Sequence, residues 1–233
     1  MHALPGKMVV AVDILRATSS IVTAFAHGIE KVIPVSHLEE CQTYSGQGCL
    51  TAAERDGRKA DGFDLGNSPF SYMEPNIAGR TLAMTTTNGT QAIRLSADAD
   101  AVLVGAFLNL SSVAAYLEAR QKDVIVVCAG WKGNFNLEDT LFAGALSQKL
   151  FAAGFTPAND ATLAACHLYD LAKPDMLTFL SASSHVQRLK NLNIIKDIEY
   201  CLQHDLYDVV PVLQDDYLVP VSVLEESEVN KQK

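Results

Sequence analysis

Charged and hydroxyl-bearing residues follow directly after apolar runs in this sequence. The run 8–12 leads into Asp13 and then Arg16, in AVDILRAT, and the run 49–53 leads into Glu54 and Arg55. After 82–84 comes TTTNGT, and after 124–128 comes AGWKGNFNLEDT, which carries Glu138 and Asp139. Where such runs are strands of an open α/β sheet, ligands sit beyond their carboxyl ends, so these are the places to expect chemistry. A carboxylate at the end of a strand is fixed by the strand and left open by the loop, which suits Asp13 to metal ligation or nucleophilic attack. The alternative is a helix cap for the segment near Leu15. GFDLGNSP adds Asn67 and sets Asp64 between Phe63 and Leu65; a surface turn explains its glycines and proline but not those apolar neighbours. Asp13, Glu54, Asp64, Glu138 and Asp139 are therefore candidates to converge on one hard cation, and Mg²⁺ needs only some of them, with water completing its shell.

Each of these segments also has a plainer explanation. Thr86, Thr87, Asn88 and Gly89 lie in a loop whose backbone N–H groups could cradle an oxyanion, or they form an Asn-Gly turn with polar decoration. Glu138 and Asp139 fall in the first turn of an expected helix, where acidic residues contribute about 0.3–1 kcal/mol against the helix dipole without any ligand. Cys128 ends an apolar run before a glycine loop, a place for a nucleophile or for a small buried hydrophobe. Some chemistries are absent. The GK[ST] ending of a Walker loop and a GxSxG elbow are both missing, and the six histidines show neither HxH nor HExxH spacing. A haloacid dehalogenase-type phosphatase would carry a second Asp where this chain has Leu15.

The elements that must position these residues read as βα units. Runs at 8–12, 31–35, 81–84, 101–104 and 124–128 are continuous rather than alternating, as expected of strands covered on both faces. Helices are expected at 18–27, with Ile21, Val22 and Phe25 on one face and Gly28 ending it; at 110–120; and at 137–150, capped by Asn136, with Leu141, Ala145 and Leu146 facing inward. From about 157 the chain turns more helical, through 161–171, 183–189 and 194–204, before a strand pair at 209–213 and 217–221 that is expected to close the sheet. The expectation is one α/β domain over 1–233, a three-layer α/β/α sandwich with a mostly parallel or mixed central sheet and a more helical C-terminal lobe.

Composition supports a globular chain and limits its partners. Hydrophobic residues make up 48% and charged residues 19% of the 233 positions, ordinary for a protein with a real core. A net charge of -9 argues against nucleic acid, whose binding needs clustered Lys and Arg. No run approaches a membrane span and the N-terminus lacks a signal-peptide pattern. Five cysteines without CxxC spacing suggest reduced thiols. A cytoplasmic homodimer is the default expectation for an enzyme of this kind.

Taken in order, VDILRATSSIVTA, AAERDG, GFDLGNSP, MTTTNGTQA, VGAFLN and CAGWKGNFNLEDTLFAG resemble the successive motifs of the 2-phosphosulfolactate phosphatase family, and RLKNLNIIKDIEYCLQHDLYDVVPVL is similar to its C-terminal region. The resemblance implies a Mg²⁺-dependent α/β phosphatase that converts the small, highly anionic 2-phosphosulfolactate to sulfolactate in coenzyme M biosynthesis. On that reading Asp13, Glu54 and Asp139 ligate metal or activate water, while Thr86, Thr87, Asn88 and Gly89 hold phosphate oxygens. Arg16, which joins the catalytic group, and Arg55 meet the sulfonate or carboxylate, with Asn67 among the substrate-binding residues. Two alternatives stand beside it: an isochorismatase-like cysteine hydrolase working through Asp13 and Cys128, and a non-catalytic anion-binding module.

Overall fold

A computed structural model describes residues 4–131, 133–190, 192 and 194–221. Nine strands are found among them: β1 (Met8–Val12), β2 (Lys31–Pro34), β3 (Leu50–Arg55), β4 (Arg58–Lys59), β5 (Thr81–Thr85), β6 (Ala101–Gly105), β7 (Val124–Cys128), β8 (Pro211–Gln214) and β9 (Tyr217–Pro220). They form one mixed sheet in the order β4-β3-β5-β2-β9-β8-β6-β1-β7, with helices on both sides. All five residues of β1 are buried, which is why this strand reads as an unbroken apolar run.

The sheet has two parallel halves. β1 pairs in parallel with β6 and β7, and β5 pairs in parallel with β2 and β3. Between the halves lies the β8–β9 hairpin, antiparallel to β6 on one side and to β2 on the other. Following the pairings across the hairpin, β1, β6 and β7 run opposite to β2, β3 and β5. The late strand pair expected to close the sheet is instead its central seam, held by the register pairs Val32 with Leu218 and Leu103 with Val212. Strand pattern alone gives no hint of this, because a short apolar strand looks the same at the centre of a sheet as beside an edge.

The seam also decides where the strand ends point. Six steps separate β3 from β1 in the sheet order, and a twist of about 20–25° per step accumulates to roughly 120–150°. The reversal of direction across the hairpin is thus largely undone in space, and the carboxyl ends of β1 and β3 face the same cavity.

Helix α1 (Ala17–Ala26) is enclosed, with every residue from Ala17 to Phe25 buried. It ends where expected, at Gly28, whose φ of +93° suits a glycine. The remaining helices are α2 (Leu38–Thr43), α3 (Gly89–Leu95), α4 (Leu110–Glu118), α5 (Leu137–Ala152), α6 (Asp160–Ala172), α7 (Met176–Leu180), α8 (Ser184–Lys190) and α9 (Ile195–Cys201). On α5, Leu141, Ala145 and Leu146 face the core as expected. Its Asn136 cap differs from expectation: the side chain accepts no helix N–H, and its Nδ2 donates to Glu138 Oε1 at 3.2 Å. Among the described residues no helix is long and apolar enough to cross a membrane.

Candidate active site

The carboxyl ends of β1 and β3 open on a cavity of about 410 Å³, its mouth included. Asp13 and Arg16 enter it from the loop after β1, Glu54 from the last residues of β3, Gly57 from the β3–β4 turn, Asn67 from the following loop, and Thr87 and Asn88 from the loop after β5. Trp131, His185 and Arg188 complete the wall from the other side. Gly89 belongs to the same place without lining it: a Cβ there would lie 2.5 Å from Ala17 Cβ and 2.9 Å from Asp13 Oδ2, so only glycine lets α3 approach the aspartate.

Two carboxylates, Asp13 and Glu54, line this cavity, and two more, Glu138 and Asp139, lie near Asp13. Asp13 and Glu54 are each 8% exposed, and Glu138 and Asp139 are fully buried. Burial, followed by the neighbouring Glu54 and Glu138 charges, pushes the Asp13 carboxyl up to about 6, against a lowering pull from His185. Asp139 is held well above the usual carboxylate range, by burial first and then by Asp13 and Glu138. So much negative charge out of water is costly unless something positive shares the space.

Each acid has distinct partners. Asp139 is a clamp: Oδ1 accepts the Ile14 N–H at 2.9 Å and Oδ2 the Gly130 N–H at 3.2 Å, tying the loop after β1 to the loop after β7. Glu138 Oε1 accepts from His185 Nδ1 and from Asn136, while its Oε2 is buried with no hydrogen-bond partner among the described residues. Glu54 accepts the Gly57 N–H and, at 3.3 Å, the Thr87 hydroxyl. Asn67 Oδ1 and Asn136 Oδ1 are also buried with no partner among the described residues.

These observations bear on the expected metal. The oxygen donors suit a hard cation, and the unpartnered Glu138 oxygen beside three further buried acids fits positive charge. Among the described residues no three acids, histidines or cysteines already close on a common point. A magnesium ion fits here only in its usual manner, on one or two carboxylates with water and substrate oxygens completing the octahedron.

Not every residue singled out from the sequence reaches the cavity. Asp64 lies elsewhere: its Oδ2 accepts the N–H and hydroxyl of Thr51 at 2.8 and 2.9 Å, closing the 62–69 segment onto the start of β3 rather than onto its carboxyl end. Arg55 turns back to its neighbours, giving Nη1 to the Glu54 carbonyl at 2.6 Å. Thr86 is occupied with Thr90, each hydroxyl accepting the other's backbone N–H, which locks the turn into α3. Arg16 does line the cavity, yet its guanidinium is committed to Asp197 and, at 2.7 Å, to the Gly57 carbonyl. Cys128 ends the edge strand, is exposed there and does not line the cavity, so it is not placed to act as a nucleophile in it.

Sequence reasoning missed His185, Arg188, Trp131 and Asp197. Spacing held one usable signal. His185 and Arg188 are three apart in SSHVQRLK, a separation that places two side chains on one face of a helix.

The model of the 2-phosphosulpholactate phosphatase family matches residues 1–216. A protein of Caldanaerobacter subterraneus subsp. tengcongensis, called probable 2-phosphosulfolactate phosphatase, is 39% identical over 216 residues, covering 91% of this chain and 90% of that protein. A protein of Thermotoga petrophila with the same name is 41% identical over 207 residues, covering 89% of each. One of Gloeobacter violaceus, also so named, is 40% identical over 207 residues, with 87% of this chain and 86% of that protein covered. With the match running from the first strand to the central hairpin, the chain belongs to the 2-phosphosulfolactate phosphatase family.

Proposed function

We propose that this protein is a magnesium-dependent phosphatase that hydrolyses the phosphate ester of 2-phosphosulfolactate to sulfolactate, the step its relatives are named for and one used in making coenzyme M. The carrying observation is the cluster of four buried acids at a cavity lined with amide and hydroxyl groups, in a chain of this family. Mg²⁺, when bound on Asp13 with Glu54 or Glu138, would offset the phosphate charge.

The chain's own groups do the rest. Thr87 and Asn88 face phosphate oxygens from one wall. Asp13 takes the proton of the attacking water as its oxygen bonds to phosphorus and the bond to the alkyl oxygen breaks. His185, with Nδ1 bound to Glu138, keeps Nε2 to give a proton to the departing oxygen, which an alkyl alcohol needs as a poor leaving group. Asp139, with both oxygens on backbone amides, holds the two loops in register rather than reacting. A panel of phosphorylated hydroxy acids, assayed for phosphate release with Mg²⁺ and again with a chelator, tests this reading. Turnover of 2-phosphosulfolactate that chelation abolishes is expected; no release from any member with Mg²⁺ present overturns it.

We also propose a cytoplasmic homodimer. The five cysteines are all unpaired, as in reducing compartments. The two sheet edges differ: β4 is two exposed cations, Arg58 and Lys59, a protected edge, whereas β7 is VIVVC and only half-buried. The bonds from Met8 N–H to the Asp123 carbonyl and from Ala129 N–H to the Val12 carbonyl point the odd-numbered residues of β7 at β1. The N–H groups of Val124, Val126 and Cys128 therefore face outward, and antiparallel pairing about Val126 of two copies satisfies them. Light scattering should give twice the mass of the chain, with slow hydrogen exchange at those three amides; a monomer with fast exchange there removes the idea.

A further inference from the structure

A phosphorylated acid brings a second negative group, and the cavity must hold it away from its own carboxylates. Of the two arginines that the sequence offered for this task, Arg55 does not line the cavity and Arg16 is spent on Asp197 and the Gly57 carbonyl. Arg188 is left. It lines the cavity, is partly exposed, and is the one arginine there, among the described residues, whose guanidinium meets neither a carboxylate nor a carbonyl.

Its surroundings prepare it for an anion. The guanidinium lies over the Trp131 ring, 4.6 Å from its centre, a cation–π contact that leaves its N–H groups uncommitted to any acid. Trp131 follows Gly130, whose N–H is clamped by Asp139, and α8 is pinned to the core through Val186 and Leu189, 0% and 1% exposed. Both sides of the stack therefore rest on fixed backbone. His185, one turn earlier on the same helix, faces Asp13, so α8 presents a phosphate-side group and an anion-side group together.

We propose that Arg188, seated on Trp131, binds the carboxylate or sulfonate beside the phosphate, and that this subsite makes the enzyme select phosphorylated acids over simple phosphate monoesters. The inference rests on the phosphatase reading above and deepens it.

The test compares kcat/KM for 2-phosphosulfolactate with that for ethyl phosphate, which has no second anion, in the wild type, Arg188→Met and Arg188→Lys. Removing a bidentate ion pair from a partly screened site corresponds to roughly a 10- to 100-fold change. The preference for the acid should fall by that factor in Arg188→Met, mainly through KM, with partial retention in Arg188→Lys and an unchanged melting temperature. A preference within threefold of wild type overturns the subsite. Calorimetric titration of the metal-free protein with sulfolactate gives a readout independent of turnover: binding should weaken about as much in Arg188→Met, and equal binding overturns the proposal. The two readings fail separately. A wild type inactive on every phosphate ester sinks the phosphatase assignment, while an active wild type with an indifferent Arg188→Met sinks the subsite alone.

Discussion

Asp13→Asn will lower phosphatase turnover by roughly 100-fold or more and, in the metal-free protein at neutral pH, raise the melting temperature. The loss follows from placing the proton-accepting carboxylate at Asp13, since a positioned base contributes about 10²–10⁴-fold. The gain follows from its surroundings. Asp13 is 8% exposed and its carboxyl is pushed from 3.8 to about 6 by burial and by Glu54 and Glu138. Ionising it in the folded state costs about 1.4 kcal/mol per unit, or roughly 3 kcal/mol in all. For a chain of this size, each kcal/mol moves the melting temperature by about 2–4 °C, so an amide that never ionises should add several degrees.

The pH dependence fixes the sign. This carboxyl is more easily protonated in the folded chain than in the unfolded one. Between about pH 4 and pH 6 the native state therefore holds the extra proton, and the Asp13 contribution to stability falls as pH rises through that window. The penalty is absent below the unfolded value and complete above the folded one. Wild type should thus lose stability relative to Asp13→Asn on going from pH 4 to pH 7.5. Added Mg²⁺ should raise the melting temperature of wild type at pH 7.5 and leave that of Asp13→Asn nearly unmoved. Calorimetric scans at the two pH values, with and without the metal, read both effects. An Asp13→Asn protein that melts at or below wild type at pH 7.5, or keeps activity within threefold, contradicts the role given to this residue. Function here is held at the expense of stability.

The strands that present Asp13, Glu54 and Thr87 were legible because buried parallel strands read as continuous apolar runs, and the polar residues just beyond them are few enough to notice. Asp64 shows the limit of that logic. Its apolar neighbours suggested an inward-facing carboxylate, but the residue is exposed and Thr51, thirteen residues earlier, bonds to it; a sequence does not say which partner an acid will find. The cavity's second wall was illegible for the same reason. His185 and Arg188 belong to a seven-residue helix far along the chain, and nothing local ties them to Asp13. The central place of β8 and β9 was hidden too, since one register pair on each side leaves no trace in the pattern. What the sequence carried was local: strand ends, the turn at Gly28, the inward face of α5. What it withheld was pairing at long range.

Asp197 illustrates how much rests on one such pairing, and its replacement should give the largest loss of stability of any change considered. Arg16 and Asp197 are 4% and 6% exposed at their side chains and bonded to each other. Asp197 also accepts the Ser68 hydroxyl at 3.0 Å, and Arg16 donates to the Gly57 carbonyl at 2.7 Å. Four segments thus meet on one ion pair: the start of α1, the β3–β4 turn, the loop before Pro69, and α9. Asp197→Asn leaves a guanidinium out of water without its counter-charge, which costs about 3–5 kcal/mol. Arg16→Met strands the aspartate at a similar cost. The double change Arg16→Met with Asp197→Leu leaves neither charge exposed to an apolar interior, so urea unfolding should return most of the lost stability. Activity should not return with it. Glu54 accepts the N–H of the same Gly57 whose carbonyl Arg16 holds, so without Arg16 the turn that aims Glu54 at the cavity is loose. A double variant that regains both stability and turnover would show Arg16 to be a structural cation alone; one that regains stability but stays slow places Arg16 in the positioning of Glu54.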